Sequence, residues 1–102
     1  MTDINNKINE LIKSNDVVLF MKGSKSFPMC GFSATVAKIL NDLNVQFTDV
    51  DILKDEELRQ AIKQYSDWPT IPQLYIKGEF IGGCDIIKDS YETGELQTLL
   101  AA

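Results

Sequence analysis

Histidine is absent from the 102-residue sequence, and its absence excludes much of the chemistry open to a small enzyme. Histidine is the usual general base near neutral pH, the usual activator of a nucleophilic cysteine and the commonest side-chain ligand of transition metals. Hydrolysis by a cysteine–histidine pair is therefore excluded. A reactive cysteine in this chain must have its thiolate stabilised by other groups.

Cysteine is scarce, because the chain has only Cys30 and Cys84. A Cys-x-x-Cys motif can close a disulfide within one chain and pass on two electrons. Here Ser33 stands where the second cysteine of such a motif would stand, so the motif cannot form that disulfide. Chemistry at Cys30 therefore needs a thiol from outside the chain.

Positive charge and long apolar runs are also in short supply. Acidic residues outnumber basic ones fifteen to ten, giving a net charge of −5, whereas sequence-independent binding of nucleic acid needs clustered Lys and Arg. The longest apolar run, Val17 to Met21, is far shorter than the roughly 20 residues of a membrane span. We expect neither nucleic acid nor a membrane as a partner.

The first residues resemble neither a secretory signal nor an Arg-rich transit peptide. We therefore expect a bacterial-type cytoplasm, although a mature organellar domain would look the same. The length and a composition of 44% hydrophobic and 25% charged residues are those of one globular domain, which we expect to cover residues 1–102.

The apolar run Val17 to Met21 predicts a buried central strand with helices or packed loops on both faces. Apolar residues at helical spacing over 32–43 predict a following helix, and the pattern over 45–50 predicts a second strand, parallel to the first across this crossover. Asp3 is expected to cap a helix before the first strand. A third helix is expected to start at Asp55.

The C-terminal part predicts a hairpin over residues 73–82 with its turn at Gly78 and Glu79. A helix from about Asp85 to Glu92 and a short one after Gly94 are expected to follow. The predicted order is αβαβαββα, an α/β fold with a small mixed sheet between helices.

Cys30 follows Pro28 and begins the second helical pattern, so its sulfur should lie near a helix N-terminus. Unpaired backbone N–H groups and the helix dipole stabilise a thiolate there, and Lys22 could add a positive charge. On these residues alone, Cys30 could equally be a small buried apolar residue and Lys22 a solvated loop residue.

Two further segments have features of a binding site. Pro72 belongs at a strand start or edge, where a cis bond would leave the backbone of Ile71 free for an extended peptide ligand. The pair Gly82-Gly83 allows a close backbone approach, and the helix that follows offers N–H donors for a carboxylate. Taken alone, the two glycines could also form a plain turn.

Three separated groups of residues can be compared with the motifs of known protein families. They are Met21-Lys22-Gly23 with Cys30-Gly31-Phe32-Ser33, then Trp68-Pro69-Thr70-Ile71-Pro72-Gln73-Leu74, then Gly82-Gly83-Cys84-Asp85. In this order, and over nearly the full length, they closely resemble the single-domain monothiol glutaredoxins. The resemblance implies a thioredoxin fold, with a four-stranded mixed sheet flanked by helices. It also implies glutathione as the outside thiol.

By this resemblance, Cys30 faces the glutathione sulfur and is bordered by Gly31 and Phe32. Lys22 and Arg59 hold the glycyl carboxylate, although Arg59 could instead be an exposed residue on a helix face.

The same resemblance implies that the backbone of Ile71, before a cis Pro72, pairs with the tripeptide like an added strand. Gly83, Cys84 and Asp85 take the γ-glutamyl end. The Cys84 thiol could be a resolving thiol, a ligand or a small packed residue whose backbone does the binding.

Two functions follow. A [2Fe–2S] cluster needs four thiolates, which Cys30 from each of two chains and two glutathiones would supply, so a glutathione-bridged homodimer with a labile cluster is expected. The resemblance adds roles in iron–sulfur cluster assembly and transfer and in iron homeostasis, with BolA-like proteins and apo iron–sulfur proteins as partners.

The alternative is an oxidoreductase that removes glutathione from protein mixed disulfides by a monothiol route. The residues Ser24 to Phe27 resemble the longer loop of the cluster-binding class, so we expect this activity to be weak. A thioredoxin-fold scaffold with an inert thiol is the third alternative.

Overall fold

The computed structural model of the protein describes residues 2–101. A four-stranded sheet forms its centre, with the strands in the order β2-β1-β3-β4. These strands are β1 (Val17–Met21), β2 (Thr48–Asp51), β3 (Gln73–Ile76) and β4 (Glu79–Gly82). β1 pairs with β2 in parallel and with β3 antiparallel, and β3 pairs antiparallel with β4. The predicted mixed sheet is confirmed.

Helices cover both faces of the sheet and are, in chain order, α1 (Thr2–Ser14), α2 (Gly31–Asp42), α3 (Glu56–Ser66), α4 (Cys84–Thr93) and α5 (Glu95–Ala101). A short 3-10 helix, Ile52–Lys54, joins β2 to α3. Within the described residues 2–101, no helix is long and apolar enough to cross a membrane.

All five residues of β1 are buried, because the strand contributes alternate side chains to two apolar clusters. Val17, Leu19 and Met21 pack in the cluster that holds the apolar faces of α2, α4 and α5. Val18 and Phe20 pack in the other cluster, with α1 and α3. The central strand therefore has a fixed register, and its C-terminal end is fixed with it.

Three predicted positions were wrong: the cap of α1, the start of β2 and the turn of the hairpin. Asp3 lies in the first turn of α1 rather than at its cap, because that helix begins at Thr2. β2 begins at Thr48 rather than Val45, because the chain leaves α2 through a left-handed residue, Asn44, and the Val45 N–H donates back to the Leu40 carbonyl at 3.0 Å.

The hairpin turn lies one residue earlier than predicted. Lys77 and Gly78 both have positive φ angles, 51° and 83°, and Ile76 pairs with Glu79. Two central residues with positive φ form the tight turn that suits the twist of a hairpin. The element order itself agrees with the prediction.

Asp55, where α3 was predicted to start, is the N-cap of that helix. Its side chain accepts the Leu58 N–H at 3.1 Å and also pairs with Lys7 of α1 at 3.2 Å. The Leu58 N–H and then Lys7 hold the pKa of this carboxyl below its ordinary value. A carboxyl with a lowered folded-state pKa contributes stability above its unfolded pKa, and this stability is lost as the pH falls through the folded pKa.

We expect Asp55→Ala to lower the thermal midpoint at pH 7, because α3 loses its cap and its link to α1. The difference from the wild type should shrink below about pH 4, where the wild-type carboxyl is protonated. Asp55→Asn is the matched control, because it keeps a capping oxygen without a titratable group. Circular dichroism melts across this pH range provide the measurement, and a wild-type advantage over Asp55→Ala that is constant with pH would contradict the assignment.

Candidate functional site

A pocket of about 560 Å³ lies beside Cys30, where β1 ends, β3 begins and α4 starts. Residues from five parts of the chain line it: Lys22, Cys30, Phe32, Lys63, Trp68, Pro69, Thr70, Ile71, Pro72, Gly83, Cys84, Asp85 and Ile86. The three separated groups of the sequence thus meet at one place.

Cys30 is the N-cap of α2, in extended conformation with φ −152° and ψ 135°, so its predicted position at a helix N-terminus is confirmed. The pKa of its thiol is lowered, first by the backbone N–H of Ser33 and further by that of Phe32 and by the charge of Lys22, while burial opposes the shift. Cys30 is half-buried and lines the pocket, and its lowered pKa favours the thiolate, the form that acts as a nucleophile or a metal ligand.

Ser33 occupies the second position of the thiol motif and has a structural role that the sequence did not reveal. Its side chain is fully buried, and its Oγ accepts the backbone N–H of Lys22 at 3.1 Å. This bond joins the residue after β1 to the first turn of α2. The residue that replaces the second thiol therefore holds the Lys22 backbone beside the helix that carries Cys30.

The loop between Lys22 and Cys30 is a small hairpin held to β2. Met29 N–H donates to the Lys22 carbonyl at 2.8 Å, and Ser24 and Phe27 exchange two backbone bonds of 3.1 Å. Gly23 has φ 90°, and a Cβ there would collide with the Phe27 carbonyl oxygen and the Met29 nitrogen. Only glycine fits the tight crossing at the base of the hairpin.

Two carboxylates of β2 and a carbonyl before it anchor this loop. Asp51 accepts the Gly23 N–H at 3.0 Å, and Asp49 accepts the Lys25 N–H at 2.9 Å. The Lys25 ammonium donates to the Phe47 carbonyl at 2.7 Å and lies 4.7 Å from the Phe47 ring centre. These contacts fix a loop that the sequence defined only by its length.

Three large apolar side chains are left exposed around Cys30. Phe27, Met29 and Phe32 are 80%, 71% and 63% exposed. The thiol therefore lies at an apolar rim that a second molecule can contact.

Residues 68–72 form the second wall of the pocket. The Ile71–Pro72 bond is cis. Among the described residues 2–101, the backbone of Ile71 has no hydrogen-bond partner, whereas Trp68 N–H donates to the Lys63 carbonyl at 3.1 Å. The Ile71 backbone is thus unpaired within the described residues, and its pairing with an extended peptide stays a prediction.

The third wall begins at Gly83, the N-cap of α4. A Cβ at Gly83 would lie 3.0 Å from the indole nitrogen of Trp68, so glycine allows these two walls to meet. Cys84 and Asp85 form the first turn of α4, where backbone N–H groups lack helical partners. Burial, and then the charge of Asp85, raise the pKa of the Cys84 thiol, which favours its protonated form.

Most of the predicted site residues line the pocket, and two do not. Gly31, the first residue of α2, is exposed beside Cys30. Arg59 lies on α3 with its guanidinium 3.8 Å from Glu56, so its role in binding stays a prediction. Lys63, one turn further along the same helix, lines the pocket, and the sequence analysis missed it. The i, i+4 spacing was the available signal, because residues at that spacing share a helix face.

The described residues hold no group of three or more Cys, Asp or Glu side chains that could bind a metal ion. A thiol of lowered pKa at a helix N-terminus lines the same pocket as a cis-proline segment, beside a four-stranded mixed sheet. Together these features define a protein with a reactive-type thiol and a thioredoxin-like fold.

Comparison with known proteins identifies the family within this class of thioredoxin-like proteins. The family model described as Glutaredoxin matches residues 17–81. The chloroplastic monothiol glutaredoxin-S14 of Arabidopsis thaliana is 62% identical over 90 residues, which make up 88% of this chain and 52% of that protein. The probable monothiol glutaredoxin 2 of Rickettsia typhi is 58% identical over 93 residues, 91% of this chain and 84% of that protein. The chain belongs to the glutaredoxin family, and its high-identity relatives are monothiol glutaredoxins.

The chain spans about half the length of the Arabidopsis relative and most of the Rickettsia one. Among solved structures, reduced poplar apo GrxS14 matches with a TM-score of 0.83 and 56% identity, covering 93% of this chain and 87% of that one. A buckwheat glutaredoxin–glutathione complex matches with a TM-score of 0.88 and 25% identity, covering 98% and 89%. The predicted thioredoxin fold is confirmed.

The two thiols should differ in reactivity. We expect iodoacetamide to alkylate Cys30 faster than Cys84 at pH 7, with a pH midpoint for Cys30 below the ordinary thiol pKa, because the N–H groups of Ser33 and Phe32 and the charge of Lys22 lower the pKa of Cys30, whereas burial and Asp85 raise that of Cys84. Lys22→Met should raise that midpoint. Lys38→Met is the control, since Lys38 lies exposed on α2 and pairs with Asp42. Mass spectrometry of the alkylated peptides measures both rates, and equal rates at the two cysteines would contradict the assignment.

Proposed function

We propose that this protein binds glutathione in the pocket beside Cys30 and carries a [2Fe–2S] cluster between two chains as a glutathione-bridged homodimer. One observation carries the proposal: each chain presents a single thiol of lowered pKa at an exposed apolar rim, while the other thiol has a raised pKa. One usable ligand per chain is too few for a cluster, and glutathione supplies what is lacking.

The pocket suits a tripeptide with a charged group at each end. Its volume of about 560 Å³ lies within the usual range for small-molecule sites. The backbone of Ile71 would pair with the peptide as an added strand. The ammonium groups of Lys22 and Lys63 suit the glycyl carboxylate, and the first turn of α4 with Asp85 suits the γ-glutamyl end.

The cluster is cargo in this proposal rather than a resident cofactor. Two Cys30 thiolates and two glutathione thiolates complete four sulfur ligands, and the glutathione pair exchanges with the free pool. Ligands that exchange make the cluster labile, which transfer to an acceptor requires. The protein would then act in iron–sulfur cluster assembly and transfer and in iron homeostasis, with apo iron–sulfur proteins and BolA-like proteins as partners.

Both cysteines are free thiols, which suits a reducing compartment. Relatives include chloroplastic and bacterial proteins. We propose a bacterial-type cytoplasm or an organelle of similar redox state.

A second function is favoured by the lowered pKa of Cys30, which makes its sulfur a nucleophile. The Cys30 thiolate would attack the glutathione sulfur of a protein mixed disulfide and release the protein thiolate. A second glutathione thiolate would then attack the glutathione bound to Cys30, giving oxidised glutathione and a free Cys30 thiolate. The anchored loop beside Cys30 limits how the thiol can approach a protein-bound disulfide, so we propose that this activity is weak.

Anaerobic reconstitution with iron, sulfide and glutathione tests the carrier role. We expect visible absorption and a dimeric elution volume for wild type and for Cys84→Ser, and neither for Cys30→Ser, because Cys30 is the only protein ligand in the proposal. Omitting glutathione should prevent assembly even with Cys30 intact. A colourless monomer that rapidly reduces glutathionylated substrates would contradict the carrier role, and full assembly without glutathione would contradict the bridge.

The two basic residues of α3 should contribute unequally to glutathione binding. We expect Lys63→Met to weaken binding at least about tenfold, because a hydrogen bond to a charged group contributes ~1.5 kcal/mol or more. Arg59→Met should weaken it less, because Arg59 pairs with Glu56 and does not line the pocket. Isothermal titration of Cys30→Ser backgrounds measures both variants without thiol exchange. A larger loss for Arg59→Met would restore the original assignment of the glycyl end to Arg59.

A further inference from the structure

Gln73 is a polar residue in the core of the molecule that the proposed function does not use. It is the first residue of β3, directly after Pro72, and its exposure is 0%. Burying a side-chain amide costs free energy unless its donors and its acceptor are paired. The hydrogen bonds that the amide loses to water must therefore be replaced by hydrogen bonds inside the protein.

The Gln73 amide is fully paired, and its partners fix its orientation. Nε2 donates to the carbonyl of Trp68 at 3.1 Å and to that of Thr70 at 3.2 Å. Oε1 lies 3.3 Å from the hydroxyl of Tyr75 and accepts from it. Carbonyl oxygens only accept, so the NH₂ group must face them. Burial raises the pKa of Tyr75 to about 12, so its hydroxyl remains a donor at neutral pH.

The two carbonyls belong to the wall of the pocket. Trp68 and Thr70 both line it, with Ile71 between Thr70 and Pro72. This wall lies outside the strands and helices, so its backbone is not held by a ladder of its own. The Gln73 amide holds it from the core side at two points, one on either side of Pro69.

The hydrogen bond from Gln73 to the Trp68 carbonyl also affects the wall formed by Gly83 and α4, because the Trp68 indole lies against that wall. That ring packs on Phe80 with 5.8 Å between ring centres, and its nitrogen lies 3.0 Å from where a Cβ of Gly83 would be. A shift of the Trp68 backbone would therefore move the indole against the Gly83 backbone, which precedes the first turn of α4.

We propose that Gln73 is a positioning residue that fixes the glutathione-binding wall, residues 68–72, by donating both amide hydrogens to the Trp68 and Thr70 carbonyls. Gln73 is fully buried and is not among the residues that line the pocket. It acts through the backbone of Ile71, whose place determines whether an extended peptide can pair with it. This inference rests on the proposed binding of glutathione in the pocket.

Trp68 is the only tryptophan, so its fluorescence reports on this wall directly. Gln73→Met keeps the length of the side chain and removes both donors. Tyr75→Phe is the matched control, because it removes one buried hydrogen bond of the same amide and leaves both carbonyl bonds intact. We expect Gln73→Met to weaken glutathione binding about tenfold, the loss of roughly one buried hydrogen bond's contribution, and to shift Trp68 emission to the red with stronger acrylamide quenching.

Tyr75→Phe should lower the thermal midpoint while leaving Trp68 quenching and glutathione affinity close to wild type. The pH midpoint of Cys30 alkylation should stay unchanged in both variants, because its causes lie in α2 and Lys22. Wild-type quenching and affinity in folded Gln73→Met would overturn the proposal, as would equal losses of affinity in the two variants. If Gln73→Met does not fold, Gln73→Asn replaces it, since its amide is too short to reach both carbonyls. If the wild type itself binds no glutathione, the proposed function fails, and the quenching comparison still decides whether Gln73 holds the wall.

Discussion

The hydrogen bond from the Lys22 N–H to the buried Ser33 hydroxyl is the contact on which the site depends. It ties the residue after the central strand to the first turn of α2. Cys30 can then cap that helix with Lys22 close enough to lower the pKa of its thiol. A second cysteine at position 33 would offer a weaker hydrogen-bonding group than the hydroxyl. Ser33, which removes dithiol chemistry from the motif, thus also fixes the position of the Lys22 backbone beside Cys30.

Rigid supports surround this thiol on two sides. Asp49, Asp51 and the Phe47 carbonyl anchor the loop before Cys30 to β2. Gln73 holds the wall opposite from within the core. Between them, Cys30 stays half exposed at an apolar rim. A site held in this way gives up little conformational entropy on binding, which favours recognition of one ligand shape over adaptation to many.

Much of the fold could be predicted from the sequence, because the strongest signals are local. The apolar run of β1 and the helical spacing after it are sufficient to predict the crossover. The predicted start of β2 was wrong because Val45 and Phe47 alternate as strand residues do. After the left-handed residue Asn44, these residues precede β2 and do not pair with β1. Apolar alternation alone does not distinguish pairing with a strand from packing on a core.

In the site, residues joined by short motifs were predictable, whereas those that depend on packing were not. The i, i+4 spacing places Arg59 and Lys63 on one helix face. Which of the two lines the pocket depends on how α3 packs against the sheet, and the spacing alone does not show that. The sequence indicated no role for Gln73, because glutamine side chains are mostly exposed. Its burial follows from carbonyls and a hydroxyl that only the folded chain brings to it.

Native mass spectrometry of the reconstituted protein tests the central claim most directly, because it counts every ligand in one complex. We expect a single assembly of two chains, two irons, two sulfides and two glutathiones, which Cys30→Ser should not form. A cluster on one chain, or a cluster-bound dimer without glutathione, would contradict it.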